Sequence, residues 1–336
     1  MKNVFLLSAV LLAGLAPRSF GDWRNLTTAD GLPGNEVQFI SQDDDGTIWV
    51  GTLSGLAKYS DGKFTTFVEG TGVWDVLKTG PGKYLIGAQS GTLTVDGEQR
   101  AWAHKGMTVA PIHRYGEKAI WIIGKSHGTE VSTLLQSTGG TWSAIAYFEN
   151  RRVVDLFRTS NGHMWVVCDG NGVFEVDPAK GPEQAVHHLQ ALNVTTMAED
   201  SRHRVWFGLW GRGVRVLEDG RWLSYVADED SSVFSIVEDT KGGIWVATSA
   251  HGLWHYDGNE WVNRLRDEGG VNMLSKTSDG KVWISTQTHG GLRYWDGKDW
   301  KVSLDSTLPI RCLLEAKNGE LWAGGILDGL HILKKQ

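Results

Sequence analysis

One short run, an aromatic set among aliphatic residues and usually followed by a small one, recurs along nearly the whole chain of 336 residues. It reads Ile48-Trp49-Val50-Gly51-Thr52, Tyr84-Leu85-Ile86-Gly87, Ile120-Trp121-Ile122-Ile123-Gly124 and Met164-Trp165-Val166-Val167 in the first half. In the second half it reads Val205-Trp206-Phe207-Gly208, Ile244-Trp245-Val246-Ala247-Thr248, Val282-Trp283-Ile284-Ser285-Thr286 and Leu321-Trp322-Ala323-Gly324. The anchors Trp49, Tyr84, Trp121, Trp165, Trp206, Trp245, Trp283 and Trp322 fall 35 to 44 residues apart. A period near 40 built from short β-rich runs is the spacing of a four-stranded propeller blade. The expected fold is therefore all-β, a β-propeller of eight blades, with seven as the alternative.

Within one repeat the strands read in order. Val37 to Gln42 is strand A, Thr47 to Thr52 strand B, Leu56 to Tyr59 strand C and Lys63 to Phe67 strand D. Asp45-Gly46 and Asp61-Gly62 join them, and Asp-Gly supplies the positive φ angles that tight hairpins need. No segment keeps a 3.6-residue apolar period over three turns, so helices are not expected. The last repeat ends on strand C, His331-Ile332-Leu333, and lacks a strand D. Asp22-Trp23-Arg24 near the other end matches Asp299-Trp300-Lys301, the opening of a strand D. The first segment is thus expected to complete the last blade, which removes two open sheet edges.

Residues 1–21 read as a signal peptide: Lys2, an apolar run from Val4 to Ala16, then Ser19-Phe20-Gly21 at a cleavage site. The remainder, 22–336, is expected to be a single propeller domain in the periplasm or outside the cell. The apolar run is shorter than the roughly 18 residues that a span requires, so no membrane insertion is expected. A formal net charge of -6 argues against nucleic acid, whose affinity comes from Lys and Arg neutralising phosphates. Cys168 and Cys312 fall in repeats four and eight, across the ring from one another, and are expected to stay unpaired.

The repeats resemble those of the two-component regulator propeller family. The resemblance rests on Thr28-Ala29-Asp30-Gly31-Leu32-Pro33-Gly34-Asn35, on Gln42-Asp43-Asp44-Asp45-Gly46-Thr47-Ile48-Trp49-Val50-Gly51-Thr52 and on Gly55-Leu56-Ala57-Lys58-Tyr59. It is close in repeats one and five to eight, and looser in two to four. It implies a periplasmic sensor that binds an extracellular ligand, a glycan, peptide or partner protein. Only Lys334, Lys335 and Gln336 follow Leu333, so the expectation is a propeller without kinase or span, associated with a separate signalling or envelope protein.

The recurring strand-B aromatics are read as packing between blades, because a residue repeated at one blade position fills the same gap each time. Non-repeating residues on the D-to-A and B-to-C loops are the better ligand contacts. Trp210 offers a stacking plane, Arg212, Arg152 and Arg311 forked donors, and Trp74, Asn272, His251 and His289 share that face. His127, His251 and His289 each precede a glycine in equivalent loops, but neighbouring blades hold such positions about 10 Å apart, too far for one zinc. Neither a metal nor a cofactor is expected, and no motif marks a catalytic base. The expected function is non-catalytic binding. The alternatives are a propeller enzyme, a lyase or glycan hydrolase, marked by a His and a carboxylate meeting at the channel, and a scaffold subunit of an envelope assembly.

Overall fold

The computed structural model describes residues 22–115, 119–128, 132–148, 151–225, 231–266 and 269–334; the expected signal peptide lies outside the described residues. Eight four-stranded antiparallel sheets follow one another, and in each the strands are hydrogen-bonded in the order A, B, C, D. In the first blade these are Val37–Gln42, Ile48–Thr52, Gly55–Ser60 and Lys63–Glu69. The later A strands are Val73–Gly80, Met107–Tyr115, Val153–Arg158, Val194–Glu199, Val233–Glu238, Val271–Lys276 and Ile310–Glu315. Contacts between successive A strands put them innermost, around the axis. The described helices are three one-turn 3-10 segments, Thr28–Asp30, Ala146–Phe148 and Pro182–Gln184.

The ring closes as expected. Trp23–Leu26 is the outer strand of the eighth blade, with Trp23 opposite Leu333 and Leu26 opposite Leu330. Leu26 is buried against Val37, Ile48 and Trp322, so the seam joins the first blade to the last. The Trp23 indole donates to the Ser303 carbonyl at 3.0 Å, tying the seam back to the seventh blade.

Every strand A carries a buried β-branched residue at or near its start, Val37, Val73, Val109, Val153, Val194, Val233, Val271 or Ile310, and in all but the third blade it is the first residue. Directly after it lies a bulge, seen as a register shift in all eight A–B pairs. Strand B carries the anchors, and Trp49, Trp121, Trp165, Trp206, Trp245 and Trp322 are among the most deeply buried side chains. Each indole packs on the following blade, as Trp49 does on Tyr84 at 5.1 Å and Trp245 on Trp295 at 5.9 Å. The small residue two places on lets that blade approach: a Cβ at Gly51 would stand 2.8 Å from the Val73 carbonyl oxygen.

The second blade departs from the alignment. Leu85 faces Leu77 in the register that places Trp49 opposite Ser41 and Trp283 opposite Ser275. Leu85, not Tyr84, therefore holds the anchor position, and it is buried while Tyr84 is half-buried. The shift arises because this blade spends its aromatic one residue early, where it meets Trp49 of the blade before.

Cys168 and Cys312 are free, and burial pushes both thiols up to about 12. Titration of the unreduced, denatured protein should count two thiols; none would contradict the blade order. Removing residues 22–27 uncovers the edge of Leu330–Leu333 and takes Trp23 and Leu26 out of contact. At about 1.5–3 kcal/mol per large apolar side chain, the melting temperature should fall by roughly 10 °C. Unchanged melting would refute the seam.

Candidate functional site

The two faces of the ring are built differently. The D-to-A and B-to-C loops open on one, the A-to-B and C-to-D turns on the other. On the turn face of four blades, a carboxylate or hydroxyl six residues before the anchor receives its indole N–H. Asp43, Asp200 and Asp239 do so for Trp49, Trp206 and Trp245 at 3.0, 2.8 and 2.9 Å, and Thr277 for Trp283 at 3.0 Å. Where that place is Ala316, the Trp322 indole N–H has no partner among the described residues, and Trp165, preceded by Thr159 at that place, has none there either.

Asp200 is the fullest of these units. It accepts from the Arg202 and Arg204 amides, the Trp206 indole and the Arg204 guanidinium, the last at 2.6 Å. Burial alone would raise its carboxyl, but the bonds from Trp206 and Arg204 outweigh it and hold Asp200 below the ordinary carboxylate range. A depressed folded value gives stability that is present above about pH 4 and lost as the pH falls through that folded value. Asp200→Ala should destabilise by about 2–4 kcal/mol, because buried Arg204 loses its close partner and keeps only Glu218 at 3.8 Å, and the Trp206 indole loses its acceptor; loss below 1 kcal/mol in chemical unfolding would contradict this.

The same face stitches neighbouring blades. The Ser160 amide and hydroxyl donate to Glu199 at 2.6 Å each, Ser201 does the same to Glu238, and Ser278 to Glu315. At the seam the Lys317 amide donates to Gln42 at 2.8 Å. His203 Nδ1 also meets Ser160 and Glu199, but the same nitrogen faces both, so the imidazole does not bridge hydroxyl and acid as a nucleophilic triad requires. Two cavities open here, one of about 410 Å³ between blades four and five and one of about 750 Å³ between blades six and seven.

The loop face carries the residues singled out in the sequence. Trp210 is 63% exposed, and Arg212, His251 and His289 stand exposed on other B-to-C loop positions. Trp74, Asn272 and Arg311 are the extra residues of three strand-A bulges. Trp74 lies over Gly72, whose Cβ would meet its ring at 2.7 Å, and Arg311 is exposed. Of Asn272 only the backbone belongs to the described residues. Arg152 is engaged with Asp169 at 2.8 Å. All eight positions share the face, but they are spread over blades two, four, five, six, seven and eight and do not form one compact cluster. The His127 ring is hydrogen-bonded to the Gln89 carbonyl at 2.8 Å, and no trio of His, Cys, Asp or Glu suited to a metal occurs among the described residues.

Two arrangements escaped sequence reasoning. The bulge puts one extra residue at each channel-side position, and these vary without pattern: Gln38, Trp74, Ala110, Val154, Thr195, Phe234, Asn272 and Arg311. Their signal was the most variable column directly after the repeated Val or Ile. The second is an acid–histidine set on the innermost strands. Asp75 accepts from the Ile112 amide of the next blade at 2.8 Å, and Asp155 lies on the blade beyond. Burial raises both carboxyls and lowers His113 between them.

Eight radial four-stranded sheets closed by the first strand define a β-propeller. Residues 31–54 and 228–250 match the two-component regulator propeller family. No curated protein matches the sequence. Among solved structures, an extracellular domain assigned to the hybrid two-component system BT3049 of B. thetaiotaomicron is similar, with TM-score 0.63 and 19% identity over 94% of this chain and 42% of that one. This chain thus spans less than half of that extracellular domain. YCF48 bound to D1 peptide gives TM-score 0.57 and 15% identity over 98% and 100% of the two chains. An inactive virginiamycin B lyase from Staphylococcus aureus with quinupristin gives 0.57 and 10% over 94% and 99%. No helix among the described residues is long and apolar enough to cross a membrane.

Proposed function

We propose that this propeller is a non-catalytic binder of an extracellular peptide or partner protein, working in the periplasm or outside the cell, with its loop face as the docking surface. One observation carries the reading. Of the nine large hydrophobics exposed among the described residues, Leu53, Val154, Trp210, Phe234 and Leu327 stand on the loop face; the other four lie on outer strands, and none on the opposite turns. Apolar side chains left in water around a channel mouth mark a surface that gains by being covered. Arg212 and Arg311, exposed and without an acid partner among the described residues, add forked donors for carbonyl or carboxylate oxygens. The similarity of the fold to YCF48 bound to D1 peptide supports a peptide over a glycan, and that to the BT3049 extracellular domain supports a sensing role through a separate partner.

A peptide and glycan array probed with the purified protein tests this. Trp210→Ala should weaken a peptide hit by about 1–3 kcal/mol and leave stability within about 0.5 kcal/mol. A marked loss of stability with affinity intact would return Trp210 to the core.

The Asp75, His113 and Asp155 set favours a second reading, an enzyme, since two carboxyls raised toward neutrality beside an imidazole suit proton transfer. Product formed from an array hit and abolished by His113→Ala, with binding retained, would establish it over the first.

A further inference from the structure

The turn-face stitching has a gap. At blades five and six, the last residue of strand A in the following blade is Glu238, which receives both donors of Ser201. At blades six and seven the same two places hold Thr240 and Lys276, so no carboxylate is there to receive, and no side-chain hydrogen bond joins these residues among those described. A lysine also holds the equivalent position in strand A of the second blade, five residues after Val73, but there Lys78 is answered by Asp45 of the first blade at 2.9 Å. The residue in the place of Asp45 in the sixth blade is Lys241. Junction six–seven therefore sets lysine opposite lysine where its counterpart sets lysine opposite aspartate, and the larger cavity, of about 750 Å³, opens beside it.

The charges inside that cavity are unequal in availability. Its three carboxylates are engaged. Asp239 accepts from the Trp245 indole, His255 and two amides; Asp279 pairs with Lys281; and Asp296 accepts from two amides and lies 3.5 Å from Lys301. Lys241, Arg264 and Lys298 have no acid partner among the described residues, and all three are exposed at the cavity. Arg264 and Lys281 lie over the rings of Trp295 and Tyr294, at 5.7 and 5.2 Å, so the cations are held against aromatic walls.

From these residues we infer that the cleft between blades six and seven is a second ligand site, for an anionic saccharide that carries carboxylate or sulfate groups. The volume lies within the range of small-ligand sites. Three unanswered cations select a negative group. The cavity's carboxylates keep further lone pairs for hydroxyl donors, and a sugar supplies many groups that both donate and accept. Half-buried Tyr294 and Trp295 give the apolar ring faces that a saccharide's C–H surface packs on. The site is on the opposite face from Trp210 and does not depend on the peptide-binding reading.

Calorimetric titration of the full chain tests it with three probes of similar length: an oligogalacturonate, a heparin oligosaccharide and a neutral maltooligosaccharide. Binding is expected for one or both acidic probes and not for the neutral one, and it should weaken with added salt. Lys241→Ala and Lys298→Ala should each lose about tenfold in affinity, with melting unchanged, while Lys105→Ala on another blade should lose none. The carboxylated and sulfated arms identify which group the cations take. Absence of binding to both acidic probes, equal binding of the neutral one, or insensitivity to both lysine substitutions would overturn the inference. So would equally tight binding of poly-glutamate, which carries the charge without the sugar.

Discussion

A ring of sheets has no ends only if its first and last segments share a sheet, and here four residues accomplish that. Trp23–Leu26 hydrogen-bonds along Leu330–Leu333, and Leu26 is buried with residues of the first and last blades together. Without it, the eighth blade presents an open edge and the first blade loses the neighbour on which its strand A rests. The cost would not stay local, because each blade is stabilised by the one it packs on and the contacts run in a single sense around the ring.

That sense is set by the anchors. Each indole is planted in strand B of one blade, reaches the sheet of the next, and in four blades is fixed by a hydrogen bond from its own N–H to an acceptor six residues earlier. The acceptors and the Ser-to-Glu stitches occupy the turn face, while the bond that recurs on the loop face joins backbones, from the residue after strand B to the carbonyl just before strand A, as Leu53 to Glu36 and Trp210 to Asn193. Exposed apolar residues gather on that second face. The division of labour follows from strand direction: every A-to-B turn must fall on one side and every D-to-A crossing on the other. Where the Ser-to-Glu stitch is missing between blades six and seven, a cavity of about 750 Å³ opens.

The period, the strand order, the seam and the packing role of the aromatics were all legible in the sequence, since each is a local pattern repeated at fixed spacing. Three things were not. Leu85 was hidden because Tyr84 mimics an anchor one residue out of register, and a one-residue slip is invisible without the strand it pairs with. The bulge ring was hidden because a bulge is defined by two strands, while its residues share no chemistry. The pairing of His255 with Asp239 at 3.1 Å, and of Ser201 with Glu238, joins residues 16 and 37 apart that meet only once strands or whole blades are laid side by side. The loop histidines, by contrast, stood out in the sequence, yet His127 proves to be bonded to a backbone carbonyl.

Hydrogen exchange followed by mass spectrometry tests the closed ring most directly. If the first strand is an integral part of the last blade, amides of residues 23–26 and 330–333 exchange together, and as slowly as the paired outer strands of other blades. Rapid exchange of 23–26 with 330–333 still protected would mean that the eighth blade stands without them, and that the ring is held by something other than this seam.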